Sequence, residues 1–201
     1  AATLDRKVAN FAKDNNLGNM EFLSCIPGSI GGAVMMNSGC YGSDISQILT
    51  SIKVIDKYGR ESEITRDDIK FFYRGTNLSN NHIILSATLK GSISKKILVE
   101  KKQNKLIEMK KISQPSKIKT GGSTFKNKNE KKAWQLIKET GCHKLSVGDA
   151  KISEKHCNFF INSGKAKSSD IEKLIKKVQL EVQKKTGEIL ELEIKIIGNE
   201  K

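Results

Sequence analysis

The chain has 201 residues, 37% of them hydrophobic, and a formal net charge of +14. This length suits one or two domains with a buried core, and no apolar run approaches the ~20 residues that a membrane-spanning helix needs. Only four of the 36 basic residues are arginine, and aromatic residues make up 5% of the chain. Bidentate contacts and stacking surfaces are therefore scarce, which disfavours a nucleic-acid-binding protein.

The first helix is predicted over residues 1–16. Leu4, Val8, Phe11 and Ala12 recur at helical spacing, so we expect these four side chains on one buried face.

The rest of the first half predicts a hairpin, a further strand and a charged helix. A strand over 48–55 leads through the turn at 56–60 into a second strand at 62–65. Another strand follows at 81–89, and a charged helix at 95–111. The sparse apolar positions of that helix are Ile97, Leu98, Leu106 and Ile107.

The second half predicts a small α/β unit. Pro115 lies in a break at 113–116, and we place a domain boundary there, giving domains 1–112 and 113–201. The expected elements are a helix from Glu130 to Thr140, a strand at 158–162, a helix opened by the capping box Ser169–Glu172 and closed by Gly187, and a final strand at 189–197.

Four cysteines, Cys25, Cys40, Cys142 and Cys157, are widely spaced and form no CxxC pair. This spacing disfavours a zinc site or a disulfide framework, and no metal is expected. A reducing cytoplasm is the favoured location.

Residues 22–42 contain five glycines and one of the two prolines. Such a composition argues against a plain helix or strand and favours turns or a close backbone approach to a ligand. On pattern alone, tight turns between buried strands are the better interpretation. However, the segment IPGSIGGAVMMNSGCYG resembles the flavin-binding stretch of bacterial UDP-N-acetylenolpyruvoylglucosamine reductases. The resemblance implies that these residues bind FAD non-covalently: Pro27, Gly28, Ser29, Ile30, Gly31, Gly32, Asn37, Gly39, Tyr41 and Gly42.

The segment FFYRGT places Arg74 beside three aromatic residues. Unaided, a cation–π arginine at the edge of a core and an arginine that binds a carboxylate are about equally favoured. The tyrosine–arginine pair is similar to a motif of the same family. The resemblance implies that Arg74 is catalytic and that Tyr73 contacts the substrate.

The segment KTGGSTFKNK resembles the family motif GSxFKNP. The resemblance implies that Ser123 is the proton donor and that Lys126 and Asn127 lie near the substrate. Lys128 stands where the family usually has proline. From the residues alone, an ordinary loop and helix cap is the better interpretation.

The segment ILELEIKIIG resembles the terminal strand of the family, and the match implies that Glu193 is catalytic. Periodicity alone favours two solvent-facing glutamates on an edge strand. A fourth stretch, Gly148 to Asn162, is also similar to the family, and we interpret His156 within it as part of the scaffold.

The motifs occur in the family order over residues 22–198. The resemblance implies an α+β fold, in which the C-terminal part of a vanillyl-alcohol-oxidase-type FAD-binding domain precedes a small α/β substrate-binding domain. Ser123 follows Arg74 by 49 positions with no tyrosine between them, as in the shorter subclass that lacks a tyrosine-bearing insert. Relatives carry a further glycine-rich flavin segment before the position of Ala1, so the chain is expected to be an N-terminally truncated form.

The implied activity is the reduction of UDP-N-acetylglucosamine enolpyruvate to UDP-N-acetylmuramate, with NADPH as reductant, for peptidoglycan synthesis. Arg74 and Glu193 are expected to hold the substrate carboxylate and Ser123 to protonate C2, so the three should converge at one pocket. The implied protein is a monomer without nucleic-acid or membrane partners. Two alternatives stay open: a remnant that cannot hold FAD, and a basic nucleic-acid-binding module without catalysis.

Overall fold

The computed structural model describes residues 1–128 and 131–198, which divide into two units, Ala1–Lys110 and Lys111–Lys201. In chain order, the helices and strands of the first unit are α1 (Asp5–Asp14), β1 (Leu17–Gly18), α2 (Ile30–Met35), β2 (Gly39–Cys40), β3 (Ser43–Asp44), β4 (Leu49–Ile55), β5 (Glu61–Thr65), β6 (Phe71–Phe72), β7 (Gly75–Thr76), β8 (Ile83–Leu89), β9 (Ser92–Ile93) and α3 (Lys96–Ser113), which runs across the division. A short 3-10 helix, Glu21–Cys25, precedes α2.

The largest sheet of the first unit has β4 between β5 and β8, all antiparallel. This confirms the predicted hairpin and the predicted strand after it. Buried and exposed residues alternate along much of β4, and Ile52 and Val54 face the core. The strands β1 with β9, β2 with β3, and β6 with β7 form three further two-stranded pairs.

The predicted buried face of the first helix is confirmed at Ala12 and at Val8, which packs against the core, but is wrong at Leu4 and Phe11. Ala9 and Ala12 are buried in α1, whereas Phe11 is 65% exposed and Leu4 precedes the helix. Small side chains allow α1 to lie close to the core. Val8 and Phe11 line an apolar groove of about 320 Å³ whose other wall includes Leu85.

The glycine-rich segment contains a helix, contrary to the expectation that it would be neither helix nor strand. In α2, Ile30, Ala33 and Val34 are buried, and this packing outweighs the helix-breaking tendency of two adjacent glycines.

The predicted charged helix is confirmed as α3, but most of its apolar residues do not face the core. In α3, Ile97, Leu98 and Ile107 are exposed. The helix faces the core of its unit through Val99 and Gln103, and the Gln103 amide donates to the Ala9 carbonyl at 2.9 Å.

The second unit contains β10 (Lys119–Ser123), α4 (Ala133–Glu139), β11 (Ser146–Val147), β12 (Ala150–Ile152), β13 (Phe159–Asn162) and α5 (Ser168–Thr186). Its antiparallel sheet has the order β10-β13-β12-β11, and the buried residues of α5, among them Leu174 and Val178, share one core with Phe125 and Phe160. The predicted helix and its end at Gly187, with φ +74°, are confirmed by α5.

Two helix starts in the second unit differ from prediction. The helix α4 begins at Ala133, and the predicted start, Glu130, lies outside the described residues. The capping acceptor of α5 is Asp170, which accepts from the Lys167 amide at 2.9 Å, so the predicted box at Ser169–Glu172 is wrong.

The predicted final strand at 189–197 is a single bridge between Leu192 and Phe125. A strand persists only where a partner continues beside it, and here Ile196 and Ile197 are exposed. Within the part of the chain that the structure describes, no helix is both long and apolar enough to cross a membrane.

Candidate functional site

Arg74 lies where two small hairpins of the first unit meet. Tyr73 and Arg74 form the loop between β6 and β7, and the Arg74 guanidinium donates to the Gly39 carbonyl of β2 at 3.0 Å. Asn37 donates to the Phe72 carbonyl at 3.1 Å. The sequence-predicted catalytic arginine is thus joined directly to the C-terminal end of the glycine-rich segment.

The same place collects unusual backbone conformations. Asn37, Tyr41 and Arg74 have positive φ angles of 41°, 53° and 58°. Left-handed conformations are disfavoured for bulky residues, and they persist where the surroundings fix them, commonly at ligand-binding sites. All three were candidate site residues from sequence.

The surface beside Arg74 is open at two glycines. A side chain at Gly42 or Gly75 would meet nothing within 4 Å. Tyr41 and Tyr73 are 40% and 50% exposed, and the Arg74 guanidinium lies 4.8 Å from the Tyr73 ring centroid. Exposed aromatic rings can stack on a planar group, so these residues fit a flavin ring system.

The N-terminal end of the glycine-rich segment is tied to residues 1–4. The Ile30 and Gly31 amides donate to the Thr3 and Ala1 carbonyls at 3.0 and 2.9 Å. A side chain on Gly31 would come within 3.2 Å of the Ala1 oxygen. These two amides are therefore engaged within the chain. Of the other candidate residues here, Pro27, Gly28 and Gly32 are exposed and Ser29 is half-buried.

Asp5 is a buried carboxyl that the sequence did not single out. It is fully buried, and neither of its oxygens has a hydrogen-bond partner among the described residues. Burial raises the pKa of Asp5 to about 6. A Cβ on Gly28 would lie 3.0 Å from Asp5 Oδ2, so the carboxyl rests directly against the candidate flavin segment.

In the second unit, Ser123 and Glu193 lie on neighbouring segments. Ser123 ends β10, and the Glu193 amide donates to the carbonyl of the next residue, Thr124, at 2.9 Å. Both Ser123 and Glu193 are half-buried. The structure therefore brings together two of the three predicted catalytic residues.

Asn158 holds this segment in place. Its side-chain oxygen accepts from the Phe125 amide at 3.0 Å, its side-chain amide donates to the Phe125 carbonyl at 2.8 Å, and its own carbonyl accepts from Thr124 at 2.8 Å. The side chain is buried. Sequence reasoning assigned Asn158 only to a motif, because an asparagine before a strand gives no signal of its partner.

Lys126 borders a cleft of about 460 Å³ that is also lined by Lys128 and Lys131. The Lys128 ammonium lies 2.8 Å from Glu191 and, by hydrogen bonding, holds the pKa of Glu191 below its ordinary value. Asn127 accepts from the Ala133 amide at 3.1 Å and so caps α4. Glu188 also lines the cleft, but the cations outnumber it, which favours an anionic ligand.

His156 behaves as a scaffold residue. Its Nδ1 accepts from the Asn158 amide at 3.2 Å, and its ring meets Phe159 edge-on with centroids 5.0 Å apart. Burial lowers the pKa of His156. Among residues 1–128 and 131–198, no group of three or more metal-ligating side chains occurs.

The predicted meeting of Arg74 with Ser123 and Glu193 joins residues of different units and stays a prediction. Each unit by itself presents one part of it: an arginine on a strained turn, and a serine beside a glutamate.

Comparisons with known proteins agree on one family. Residues 114–197 match the C-terminal domain of UDP-N-acetylenolpyruvoylglucosamine reductase, and residues 1–65 match an FAD binding domain. The chain is 46% identical to the reductase of that name from Pelagibacter ubique and 41% identical to that from Wolbachia pipientis, and each match covers 98% of the chain. These matches cover 66% and 68% of the two relatives.

A solved structure agrees with the sequence comparisons. The crystal structure of UDP-N-acetylenolpyruvylglucosamine reductase from Thermus caldophilus matches with a TM-score of 0.85 and 31% identity, over 96% of this chain and 69% of that one. The chain thus spans about two thirds of the length of its relatives. The expected α+β fold, with an FAD-binding part followed by a C-terminal domain, is confirmed.

Proposed function

Because the chain belongs to the UDP-N-acetylenolpyruvoylglucosamine reductase family, we propose that it serves the NADPH- and FAD-dependent reduction of UDP-N-acetylglucosamine enolpyruvate to UDP-N-acetylmuramate, a step of peptidoglycan synthesis. The observation that carries this proposal is the Arg74 turn, which is hydrogen-bonded to the candidate flavin segment at Gly39. An arginine in that position is suited to a substrate carboxylate beside a flavin ring.

When bound, FAD would pass hydride from NADPH to the enolpyruvyl double bond. The contribution of Arg74 is electrostatic, because hydride addition moves negative charge toward the substrate carboxylate. A guanidinium that is already oriented stabilises such charge without reorganising. The hydrogen bond to Gly39 and the left-handed turn supply that orientation.

In the second unit, Ser123 would deliver the proton to C2. A serine hydroxyl is a weak acid and serves only when the receiving carbon is strongly basic. Glu193 lies on the neighbouring segment, opposite Thr124. When its own carboxyl is protonated, Glu193 would donate a hydrogen bond to the substrate carboxylate. The two hydrogen bonds from the Asn158 side chain to the Phe125 backbone, called here the Asn158 clamp, hold the segment that follows Ser123 in place.

The cationic cleft suits the diphosphate of the substrate. Lys126 would bind it together with Asn127, and Tyr73 would contact the substrate in the first unit. Residues 1–112 would then be the flavin-binding part and residues 113–201 the substrate-binding part. We further propose a cytoplasmic monomer that binds neither nucleic acid nor membrane.

The test uses this chain and a chimera that adds the part of the Pelagibacter relative that the chain does not match. Flavin binding is followed by visible absorption, and product formation by mass spectrometry with NADPH and the enolpyruvyl substrate. In the Ser123→Ala variant, NADPH should still bleach the flavin, while product formation falls by about 10²-fold or more.

The matched control is Ser146→Ala, which alters an exposed serine of the same unit. It should leave both half-reactions unchanged. Absence of flavin from both proteins would contradict the proposed activity. Equal slowing of both half-reactions in Ser123→Ala would contradict the role of Ser123.

A further inference from the structure

Asn37 links the candidate flavin segment to the hairpin of β6 and β7, which carries Arg74. The side-chain NH2 group of Asn37 donates to the Phe72 carbonyl at 3.1 Å, and its side-chain oxygen accepts from the Ser46 amide at 3.1 Å. The residue is only 6% exposed, so both ends of its amide are used inside the first unit. Asn37 therefore holds the strand that leads into the Arg74 turn.

The hairpin gives hydrogen bonds back to the same segment. The Arg74 guanidinium donates to the Gly39 carbonyl at 3.0 Å, and the Thr76 hydroxyl donates to the Met35 carbonyl at 3.4 Å. Asn37 thus donates in one direction, and Arg74 and Thr76 donate in the other. Because hydrogen bonds are short-range and directional, these contacts fix the hairpin relative to residues 35–39.

The backbone of Asn37 shows what its side chain adds. Asn37 follows α2, and its amide donates to the Val34 carbonyl at 3.1 Å. Its φ angle is +41°, in the left-handed region that glycine and asparagine enter most readily. Glycine would end the helix equally well. An asparagine at this position supplies a donor for Phe72 and an acceptor for Ser46, which glycine lacks.

We propose that Asn37 is a positioning residue for Arg74, and not the contact to FAD that the family resemblance implies. Its NH2 group holds the Phe72 carbonyl two residues before Arg74, so the guanidinium extends from a fixed turn. The catalytic importance of this placement rests on the proposed function, because it assumes that Arg74 binds the substrate carboxylate. The placement itself is independent of flavin and substrate.

Two variants of Asn37 isolate its hydrogen bonds. In Asn37→Asp, the side chain keeps nearly the same volume and still accepts from the Ser46 amide, but it has no NH2 group for the Phe72 carbonyl. Asn37→Gly keeps the left-handed backbone and removes both bonds. It carries the same test if a buried carboxylate unfolds the unit.

The matched control is Asn77→Asp, which puts the same change directly after β7. Asn77 is exposed, and its side-chain oxygen accepts from the Lys70 amide at 2.8 Å. A carboxylate can accept that bond equally well, so this variant adds a negative charge near the hairpin without removing the bond.

The first measurement needs no flavin. Phenylglyoxal labels arginine side chains, and peptide mass spectrometry separates the four arginines of the chain. We expect Arg74 to react about fivefold faster in Asn37→Asp than in the unaltered chain, the change in an opening equilibrium when one ordinary hydrogen bond is lost. Arg66, which donates to the Ser46 carbonyl at 2.9 Å, and the exposed Arg6 should keep their rates.

The other variants complete this measurement. Asn37→Gly should accelerate Arg74 at least as much, because both bonds are lost, and Asn77→Asp should leave all four arginines unchanged. An unaltered Arg74 rate in both Asn37 variants would overturn the proposal. Equal acceleration of all four arginines would also overturn it, because Asn37 would then support the whole unit and not the Arg74 turn in particular.

The second measurement uses the chimera and follows the two half-reactions. In Asn37→Asp, FAD affinity and the reduction of the flavin by NADPH should stay as they are. Reoxidation of the flavin by the enolpyruvyl substrate should slow by about 10- to 10²-fold, because a shift of about 1 Å in a binding group can cost that much. Asn77→Asp should leave both half-reactions unchanged.

The outcomes separate this proposal from the proposed function. A loss of FAD affinity with normal reoxidation would assign Asn37 to the cofactor and overturn the positioning role. If the chimera holds no flavin, the proposed function fails, while the phenylglyoxal rates still decide whether Asn37 positions Arg74.

Discussion

Each unit buries a polar side chain beside its candidate site, but one side chain lacks hydrogen-bond partners among the described residues and the other is fully paired. Asp5 in the first unit lies against Gly28 with no partner for either oxygen among the described residues. Asn158 in the second unit uses both ends of its amide on the Phe125 backbone. A buried polar group is costly when unpaired and stabilising when paired. The comparison therefore predicts that removing each group changes stability with opposite sign.

The two units can be followed separately. Trp134 is the single tryptophan and lies in the second unit, whereas the three tyrosines, Tyr41, Tyr58 and Tyr73, all lie in the first. Tryptophan fluorescence therefore reports unfolding of the second unit, and the tyrosine near-ultraviolet signal of a Trp134→Phe background reports the first.

The largest effect is expected for Asn158→Ala. The change leaves a buried amide and a buried carbonyl of Phe125 without partners, at about 1–3 kcal/mol for each group. We expect the second unit to lose about 2–5 kcal/mol of unfolding free energy in urea titrations followed by Trp134. Lys151→Ala, on an exposed position of β12, is the control and should have little effect. A loss no larger than that of the control would show that the clamp is dispensable.

Asp5→Asn should have the opposite sign, with a pH dependence. Because the folded-state pKa is raised from 3.8 to about 6, the folded state binds the proton more tightly than the unfolded state. In the unaltered chain, the contribution of Asp5 to the free energy of unfolding is therefore greatest below about pH 4. It falls as the pH rises through 6. We expect Asp5→Asn to stabilise the first unit by about 2–3 kcal/mol at pH 8, since one pKa unit corresponds to about 1.4 kcal/mol.

Asp14→Asn is the control that separates the effect of burying a carboxylate from the effect of removing a negative charge. Asp14 is exposed and paired with Lys96 at 2.8 Å, so its removal should not stabilise the unit at pH 8. Below about pH 4 the gain from Asp5→Asn should vanish. A gain that is constant from pH 4 to pH 8 would mean that the Asp5 carboxyl does not titrate as its burial requires.

Sequence patterns predicted the elements whose period is set by one buried face. The β4–β5 hairpin and α5 are of this kind, because Ile52, Val54, Leu174 and Val178 recur at strand and helix spacing. Periodicity predicted the wrong residues where tertiary packing buries a different face of the helix, as in α1, which buries Ala9 and exposes Phe11. It also failed for residues 189–197, because a strand depends on a partner that periodicity does not reveal.

The residues of the candidate site could be predicted from the sequence, but the contacts that they make could not. Arg74, Ser123 and Glu193 were identified through a resemblance, and no pattern indicated that Arg74 bonds to the Gly39 carbonyl. Asp5 was missed because an acidic residue in the first turn of a helix is ordinary at the surface, and only the fold shows that this one is buried.

The smallest expected effect tests whether Gly28 and Asp5 are coupled. A Cβ on Gly28 would stand 3.0 Å from Asp5 Oδ2, closer than ordinary packing, so one of the two must move. We expect Gly28→Ala to cost the first unit about 1–2 kcal/mol, in the range of mild overpacking. In an Asp5→Ala background the carboxyl is gone, and the same change should cost less than half as much. The difference between the two costs is the coupling energy, and residues in contact typically give about 0.5–3 kcal/mol.

Gly32→Ala is the matched control, because its nearest neighbour is the Ser29 hydroxyl at 3.8 Å. It should show the same cost in both backgrounds. Equal costs for Gly28→Ala in the two backgrounds would mean that Asp5 is not the group that confines Gly28, and the unpaired carboxyl would then have no structural link to the candidate flavin segment.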